Sequence, residues 1–280
     1  MSRTRPTGAV RLITFDIMGT LMKPKLNIGK MYLTEAKKLE NVKSFRACTP
    51  AALDMEFRKA FKHHWANHPN FGFNEGFTSM AWWRNVVRDT FLGALERTGQ
   101  GGMRREAEFY LPVLADNLFG TFSHSRSWAF SKGDADVLKK LRQRFTLGVI
   151  SNFDERLIQI LNGFKIADVF SFIVISKEVG VCKPDAEIFD IALHRAGLRD
   201  PADALHVGDN LELDYLAAQR AGWRSVWFHP VQQPNDAAQV QLPMSDVIST
   251  MDELLTLPAK WSTPPDQLPS HRNVSFSSNS

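Results

Sequence analysis

VRLITFDIMGTL, residues 10–21, is the stretch that decides the fold. Its apolar and β-branched first half predicts a buried strand, and the Asp and Gly that follow predict a tight loop. Ligands of open α/β sheets bind beyond the carboxyl ends of the strands, so this strand would deliver Asp16 to such an edge. Taken alone, these residues fit a plain strand followed by a turn aspartate equally well.

Size and composition predict a globular protein. The chain has 280 residues, which is enough for one core with a large insertion or for two domains. Hydrophobic residues make up 44% and charged residues 23%, values typical of folded domains. No apolar run approaches the roughly 18 residues of a membrane span, so we predict no membrane association.

The net charge and the number of cysteines indicate which binding partners and which cellular compartment the protein has. The net charge is +4, and its lysines and arginines are scattered rather than gathered into a basic stripe, which argues against nucleic acid as a partner. Only two cysteines occur, far apart in the chain, as in proteins of reducing compartments. We therefore predict a cytoplasmic protein, with mitochondrion and nucleus as weaker alternatives.

The pattern along the chain predicts an α/β core with a helical insertion. Residues 23–128 carry helical periodicity and no alternating strand pattern. Further on, buried strands alternate with helices, at 145–150, 172–175, 204–207 and 225–228. Such alternation predicts a doubly wound parallel sheet covered on both faces. We predict a core of residues 1–22 and 129–258, a helical domain of residues 23–128 and a disordered tail of residues 259–280.

Polar side chains follow the predicted strands in four places. They are Asp16 with Thr20, Ser151 with Asn152, Lys183 at the start of a loop, and Asp209 with Asp214. Because the carboxyl ends of parallel strands meet at one edge of a sheet, these side chains should converge on one pocket. A carboxylate nucleophile, a hydroxyl, a lysine and a carboxylate pair are the groups used in phosphoryl transfer through an aspartyl-phosphate.

In their order, these four groups resemble the four motifs of the haloacid dehalogenase (HAD) superfamily. The resemblance extends over residues 10–255 and implies a Rossmann-like core with the helical insertion as a C1-type cap. Three narrower stretches, residues 82–83, 151–157 and 206–210, are similar to one subgroup of that superfamily.

The resemblance also implies roles for individual residues. Asp16 would be the nucleophile, and Mg²⁺ would be held by Asp16, Asp209, Asp214 and the backbone carbonyl of Met18. Lys183 would be catalytic, since it would neutralise the carboxylates and, with Ser151, hold the phosphoryl oxygens. Thr20 and Asn152 would help to bind the substrate, a small phosphorylated metabolite.

Met18 departs from the phosphatase pattern of the superfamily. Phosphatases of this kind carry a second Asp two residues after the nucleophile, which protonates the leaving group and later activates water. Methionine can do neither, and general acid–base catalysis is typically worth about 10² to 10⁴ in rate. Two alternatives therefore stay open: a binding or regulatory protein with impaired catalysis and, with less support, a metal-independent 2-haloacid dehalogenase.

Three aromatic residues receive simpler interpretations. His206 lies within an apolar strand and is interpreted as a core residue. Trp82 and Trp83 are adjacent on a predicted helix and cannot face the same way, so one of them should lie in the core of the helical domain.

Overall fold

The computed structural model describes residues 9–230 and 242–256, which contain eight strands. They are β1 (Leu12–Phe15), β2 (Met22–Pro24), β3 (Trp128–Phe130), β4 (Thr146–Ser151), β5 (Phe172–Ile175), β6 (Ala204–Gly208), β7 (Arg224–Phe228) and β8 (Val247–Ile248). Six of them form a parallel sheet in the order β5-β4-β1-β6-β7-β8, and β2 and β3 form a separate two-stranded sheet. The predicted α/β fold with a parallel sheet is confirmed.

The same residues contain eleven α-helices. They are α1 (Ile28–Ala36), α2 (Lys43–Ala47), α3 (Pro50–Asn67), α4 (Pro69–Gly72), α5 (Ser79–Arg97), α6 (Arg104–Phe122), α7 (Lys132–Arg142), α8 (Arg156–Gly163), α9 (Ser176–Val179), α10 (Glu187–Arg195) and α11 (Ala217–Arg220). A six-residue π-helix, Leu211–Leu216, precedes α11. Among the described helices, none is both long and apolar enough to cross a membrane.

The strand β1 lies in the middle of the large sheet and is buried along its whole length. Phe15 is paired with Val149 of β4 on one side and with Val207 of β6 on the other. The next residue, Asp16, continues this alignment, since its N–H donates to the carbonyl of Val207 at 2.9 Å. The register therefore brings the carboxyl ends of the three central strands to one edge of the sheet.

Six short strands and α-helices were not anticipated from the sequence. The strands β2, β3 and β8 have three, three and two residues, and the helices α2, α4 and α9 have five, four and four. Segments of this length are too short for a periodic pattern of apolar residues to emerge. The three short strands depend on neighbouring strands for their hydrogen bonds.

The chain divides into two compact units. The α/β unit comprises Met1–Lys23, Phe130–Asn152 and Lys165–Ser280, and the helical unit comprises Pro24–Ala129 and Phe153–Phe164. The outer limits of the helical insertion lie within one residue of the predicted 23–128. The predicted tail, residues 259–280, lies outside the described residues.

Residues 153–164 are the main difference from the predicted division, which assigned them to the core. In the structure they group with the helical unit, and side-chain contacts connect them to its helices. The indole N–H of Trp83 donates to Asp154 at 2.8 Å, the hydroxyl of Ser79 donates to Glu155 at 2.6 Å, and the guanidinium of Arg156 lies 4.2 Å from the centre of the Phe119 ring. Such contacts between distant residues leave no periodic signal in the sequence.

The two adjacent tryptophans of α5 face different surroundings, as predicted. Trp82 is fully buried against Phe61 and Phe71 in an aromatic cluster of the helical unit. Trp83 is partly exposed, and its indole N–H contacts Asp154. One tryptophan thus belongs to the core of this unit, while the other holds a buried carboxylate.

Candidate active site

Lys183 stands at the centre of the polar groups in the α/β unit. Its buried ammonium donates to Asp16 Oδ1 at 2.7 Å, to Asp214 Oδ1 at 2.6 Å and to the carbonyl of Ile150 at 2.9 Å. An ammonium group has three N–H donors, so these contacts use all of them. Lys183 therefore neutralises two buried carboxylates and ties both to the end of β4.

Thr20 links the loop after β1 to the loop after β6. Its hydroxyl oxygen accepts from the N–H of Asp209 at 2.9 Å and lies 3.0 Å from Asp209 Oδ1 and 3.4 Å from Asp16 Oδ2. Gly19, the residue before Thr20, has a φ of +94° and packs so closely on Asp209 that a Cβ there would lie 2.2 Å from Asp209 Oδ2. Only glycine takes this conformation at no steric cost and leaves that space free.

Asp214 is held by its own π-helix and by the strand beneath it. Its Oδ2 accepts from the N–H of Asn210 at 2.9 Å, and the side chain of Asn210 caps the helix by accepting from the N–H groups of Glu212 and Leu213. Asp214 lies directly over Gly208, where a Cβ would come 2.2 Å from its Cγ. π-Helical turns occur frequently at functional sites, where they re-aim a side chain.

We expect Gly208→Ala to lower the free energy of unfolding by about 1–3 kcal/mol, the usual cost of overpacking a filled site. The added methyl group would push Asp214 away from Lys183 and Asn210. Urea denaturation measures the loss. A matched control is Gly133→Ala in α7, where the nearest atom to an added Cβ is the Ser131 hydroxyl at 3.4 Å, so stability should hold or rise slightly. Equal stability of the two variants would contradict this packing argument.

Burial and charge set the protonation of the site. Burial raises the pKa of Asp16 to about 7, although the nearby Lys183 opposes the shift. Burial also acts to raise the pKa of Asp214, but the ammonium of Lys183 and the hydrogen bond from His206 hold it below its usual range. The pKa of Asp209 is raised by burial and by the charge of Asp214. One ammonium thus cannot compensate all the buried negative charge.

The charge balance of this site suits a divalent cation. Asp16, Asp209 and Asp214 each offer an oxygen, and these three oxygens lie within 4.8 Å of one another. With all three carboxylates ionised, and with Lys183 as the cation that contacts two of them, the group has a net charge of −2. Carboxylate oxygens are the ligands that Mg²⁺ and Ca²⁺ prefer, so both the donor set and the charge fit such an ion.

The remaining predicted residues surround this group. Ser151 is the buried last residue of β4. Asn152 exchanges two hydrogen bonds with the main chain of Lys183, each 2.8 Å long, and so fixes the start of the lysine loop. Met18 lies in the loop after β1 and is partly exposed. The structure therefore shows positioning contacts for Asn152 and for Thr20, while their part in substrate binding and that of Ser151 stay predictions.

His206 is more than the core residue that its sequence context suggested. It is completely buried in β6, its Nε2 lies 3.2 Å from Asp214 Oδ1, and its Nδ1 lies 2.8 Å from the hydroxyl of Thr14. Burial lowers the pKa of this imidazole, which favours its neutral form, although the hydrogen bond to Asp214 opposes the shift. The sequence contained an indication of this contact. His206 and Gly208 lie on the same face of β6, and this strand leads directly to Asp209 and Asp214.

Comparisons with known proteins identify the family of the chain. The sequence pattern of the family described as haloacid dehalogenase-like hydrolase matches residues 10–222. Haloacid dehalogenase-like hydrolase domain-containing protein 3 of Xenopus laevis is 33% identical over 249 residues, which cover 88% of this chain and 95% of that protein. This relative confirms the subgroup to which residues 82–83, 151–157 and 206–210 were similar.

Solved structures share the fold at low sequence identity. A 2-haloacid dehalogenase of Pseudomonas syringae superposes with a TM-score of 0.58 at 22% identity, covering 90% of this chain and 100% of its own. The HAD-hydrolase YfnB of Bacillus subtilis, described as bound to magnesium, superposes with a TM-score of 0.57 at 20% identity, covering 89% and 98%. At this identity the likeness shows the fold alone. The family match and the Xenopus relative together establish that this chain belongs to the haloacid dehalogenase-like hydrolases.

Proposed function

We propose that this chain is a Mg²⁺-dependent phosphohydrolase that acts on a small phosphorylated metabolite through an aspartyl-phosphate at Asp16. The observation that carries the proposal is the excess of negative charge at the site: three converging carboxylates, two of them buried, are matched by one ammonium. A divalent cation would balance this charge and, when bound, would supply positive charge against the transferring phosphoryl group. The Bacillus subtilis neighbour described as bound to magnesium supports the choice of ion.

In the proposed reaction, Asp16 is the nucleophile and Lys183 orients it. A carboxylate oxygen of Asp16 forms a bond to phosphorus while the bond from phosphorus to the leaving oxygen breaks, and the leaving group departs with the electron pair. Lys183 keeps Asp16 oriented and partly compensates the charge of the carboxylates. Water then attacks the phosphorus, which releases phosphate and restores Asp16.

Met18 decides which substrates react well. A thioether cannot donate a proton to the leaving oxygen, and it cannot remove one from the attacking water. Leaving groups that are stable without a proton, such as aryl and acyl phosphates, should therefore react faster than alkyl phosphates. The second step should be slow, because no side chain at this position activates the water.

With p-nitrophenyl phosphate, we expect a burst of p-nitrophenol equal to the amount of enzyme, followed by slow turnover. Met18→Asp should raise the steady-state rate by about 10² or more, since it introduces the missing acid and base. Met18→Asn is the matched control, because the Asn side chain has nearly the size and shape of Asp but cannot transfer a proton. Rapid-mixing absorbance measures both phases. Absence of a burst together with equal rates in all three proteins would refute this role of position 18.

The same purified protein can be used to test two alternative functions, a 2-haloacid dehalogenase and a binding or regulatory protein. The Pseudomonas syringae neighbour is named as a 2-haloacid dehalogenase, and a reaction of that kind would release halide from 2-chloropropionate with EDTA present. A binding or regulatory protein would gain thermal stability with Mg²⁺ but would hydrolyse no phosphate in a broad panel. The proposed function predicts phosphate release that requires Mg²⁺ and no release of halide.

A further inference from the structure

The indole of Trp227 reaches into the loop that carries the carboxylates. Trp227 belongs to β7, where it pairs in register with Gly208 of β6, and it is 4% exposed. Its Nε1–H donates to the main-chain carbonyl of Asp209 at 2.7 Å. Trp227 is therefore a buried donor aimed at the residue that follows the end of the neighbouring strand.

The carbonyl that Trp227 holds belongs to the peptide group between Asp209 and Asn210. The N–H of that same peptide group donates to Asp214 Oδ2 at 2.9 Å. Because a peptide group is planar, the direction of its carbonyl determines the direction of its N–H. A hydrogen bond to one end thus orients the donor at the other end, which contacts Asp214.

Thr20 fixes the other side of Asp209, since its hydroxyl accepts from the N–H of that residue at 2.9 Å. The main chain of Asp209 is therefore held on both sides of its Cα atom, by Thr20 before it and by Trp227 after it. Without Trp227, this peptide group would lose one of the two hydrogen bonds that fix its plane. A rotation of the plane would change the aim of the Asp209 side chain and weaken the hydrogen bond from the Asn210 N–H to Asp214.

We propose that Trp227 is a positioning residue for the cation site: through one peptide plane it orients two of the three converging carboxylates, those of Asp209 and Asp214. This inference rests on the proposed function, because it assigns Trp227 to the ion that the function requires. Partners that orient metal ligands typically contribute about 10- to 100-fold to metal affinity. Trp227 acts through the main chain, so we expect the lower end of this range.

The test is Trp227→Phe, which keeps an aromatic ring in the strand and removes the N–H. Trp223→Phe is the matched control. Trp223 is 3% exposed in the same unit, and its Nε1 has no hydrogen-bond partner among residues 9–230 and 242–256. Both variants lose the same atoms from a buried indole, but only the variant at position 227 loses a hydrogen bond to the site.

Calorimetric titration with Mg²⁺ gives the affinity, and thermal unfolding in EDTA gives the stability without metal. We expect Trp227→Phe to weaken Mg²⁺ binding about tenfold, and Trp223→Phe to leave it within about twofold of the wild type. Unfolding in EDTA should shift to lower temperature more in Trp227→Phe, which leaves the Asp209 carbonyl without its donor, than in Trp223→Phe, which removes an N–H without a partner. If Trp227→Phe does not fold, benzothienylalanine at position 227 replaces the N–H by sulfur in a ring of nearly the same shape.

The possible outcomes separate this inference from the proposed function. Wild-type affinity for Mg²⁺ in Trp227→Phe would overturn the role of Trp227 and leave the metal site intact. An equal loss of affinity in both tryptophan variants would assign the effect to packing and would also overturn it. A wild-type protein that does not bind Mg²⁺ would overturn the metal-dependent function and this inference together.

Discussion

We expect Asp16→Asn to abolish phosphate release, with a loss of roughly 10⁴-fold or more, the scale seen when a catalytic nucleophile is removed. The amide has nearly the shape of the carboxylate but is a poor nucleophile toward phosphorus. The variant should stay folded, because removing one negative charge relieves a site in which three carboxylates face one ammonium. Phosphate release with Mg²⁺ and urea denaturation in EDTA measure the two effects.

Asp190→Asn is the matched control for this prediction. Asp190 lies in α10 of the same unit and is exposed to solvent. The same change of charge at this position should leave both rate and stability unaltered. If Asp16→Asn kept a rate close to that of the wild type, Asp16 could not be the nucleophile and the proposed reaction would be wrong.

The second large effect concerns stability as well as rate. We expect Lys183→Met to lower the free energy of unfolding by about 3–5 kcal/mol at pH 7 without metal, as is usual when one partner of a buried ion pair is removed. Methionine fills similar space but leaves Asp16 and Asp214 buried beside each other with no compensating charge. Hydrolysis should be lost as well. Urea denaturation in EDTA measures the change in stability.

A double variant identifies the cause of that loss. Asp214→Asn removes one of the two carboxylates that Lys183 contacts, so Lys183→Met combined with Asp214→Asn should be more stable than the sum of the single losses predicts. The expected coupling has a direct structural basis, since Lys183 Nζ lies 2.6 Å from Asp214 Oδ1. Strictly additive losses would mean that the contact with Asp214 contributes nothing to the stability that Lys183 provides.

Much of the fold could be predicted because its signals are local. The run around β1 is apolar and β-branched, and the alternation of buried strands with helices indicates a parallel sheet without knowledge of any contact. The convergence of Asp16, Lys183, Asp209 and Asp214 also followed from the sequence, because parallel strands end at the same edge. The structure places these four side chains in one group, while their roles in hydrolysis stay predictions.

The short elements and the grouping of residues 153–164 could not be predicted in this way. A two- or three-residue strand is too short to show a recognisable alternation of apolar and polar residues, so its position depends on the segments beside it. Residues 153–164 read as the next helix of an α/β alternation, yet their polar side chains contact helices that are distant in the chain. Their grouping depends on side-chain geometry, which hydrophobic periodicity does not encode.

The sequence by itself thus determined a parallel sheet, the order of its chemical groups and the unusual Met18 two residues after Asp16. Only the tertiary structure revealed how the carboxylates are held: Lys183 donates to two of them, His206 contacts Asp214, and Trp227 fixes the peptide after Asp209. The physical reason is the range of the interactions. Strand formation follows from neighbouring residues, whereas a hydrogen bond depends on where the fold brings residues that are far apart in the chain.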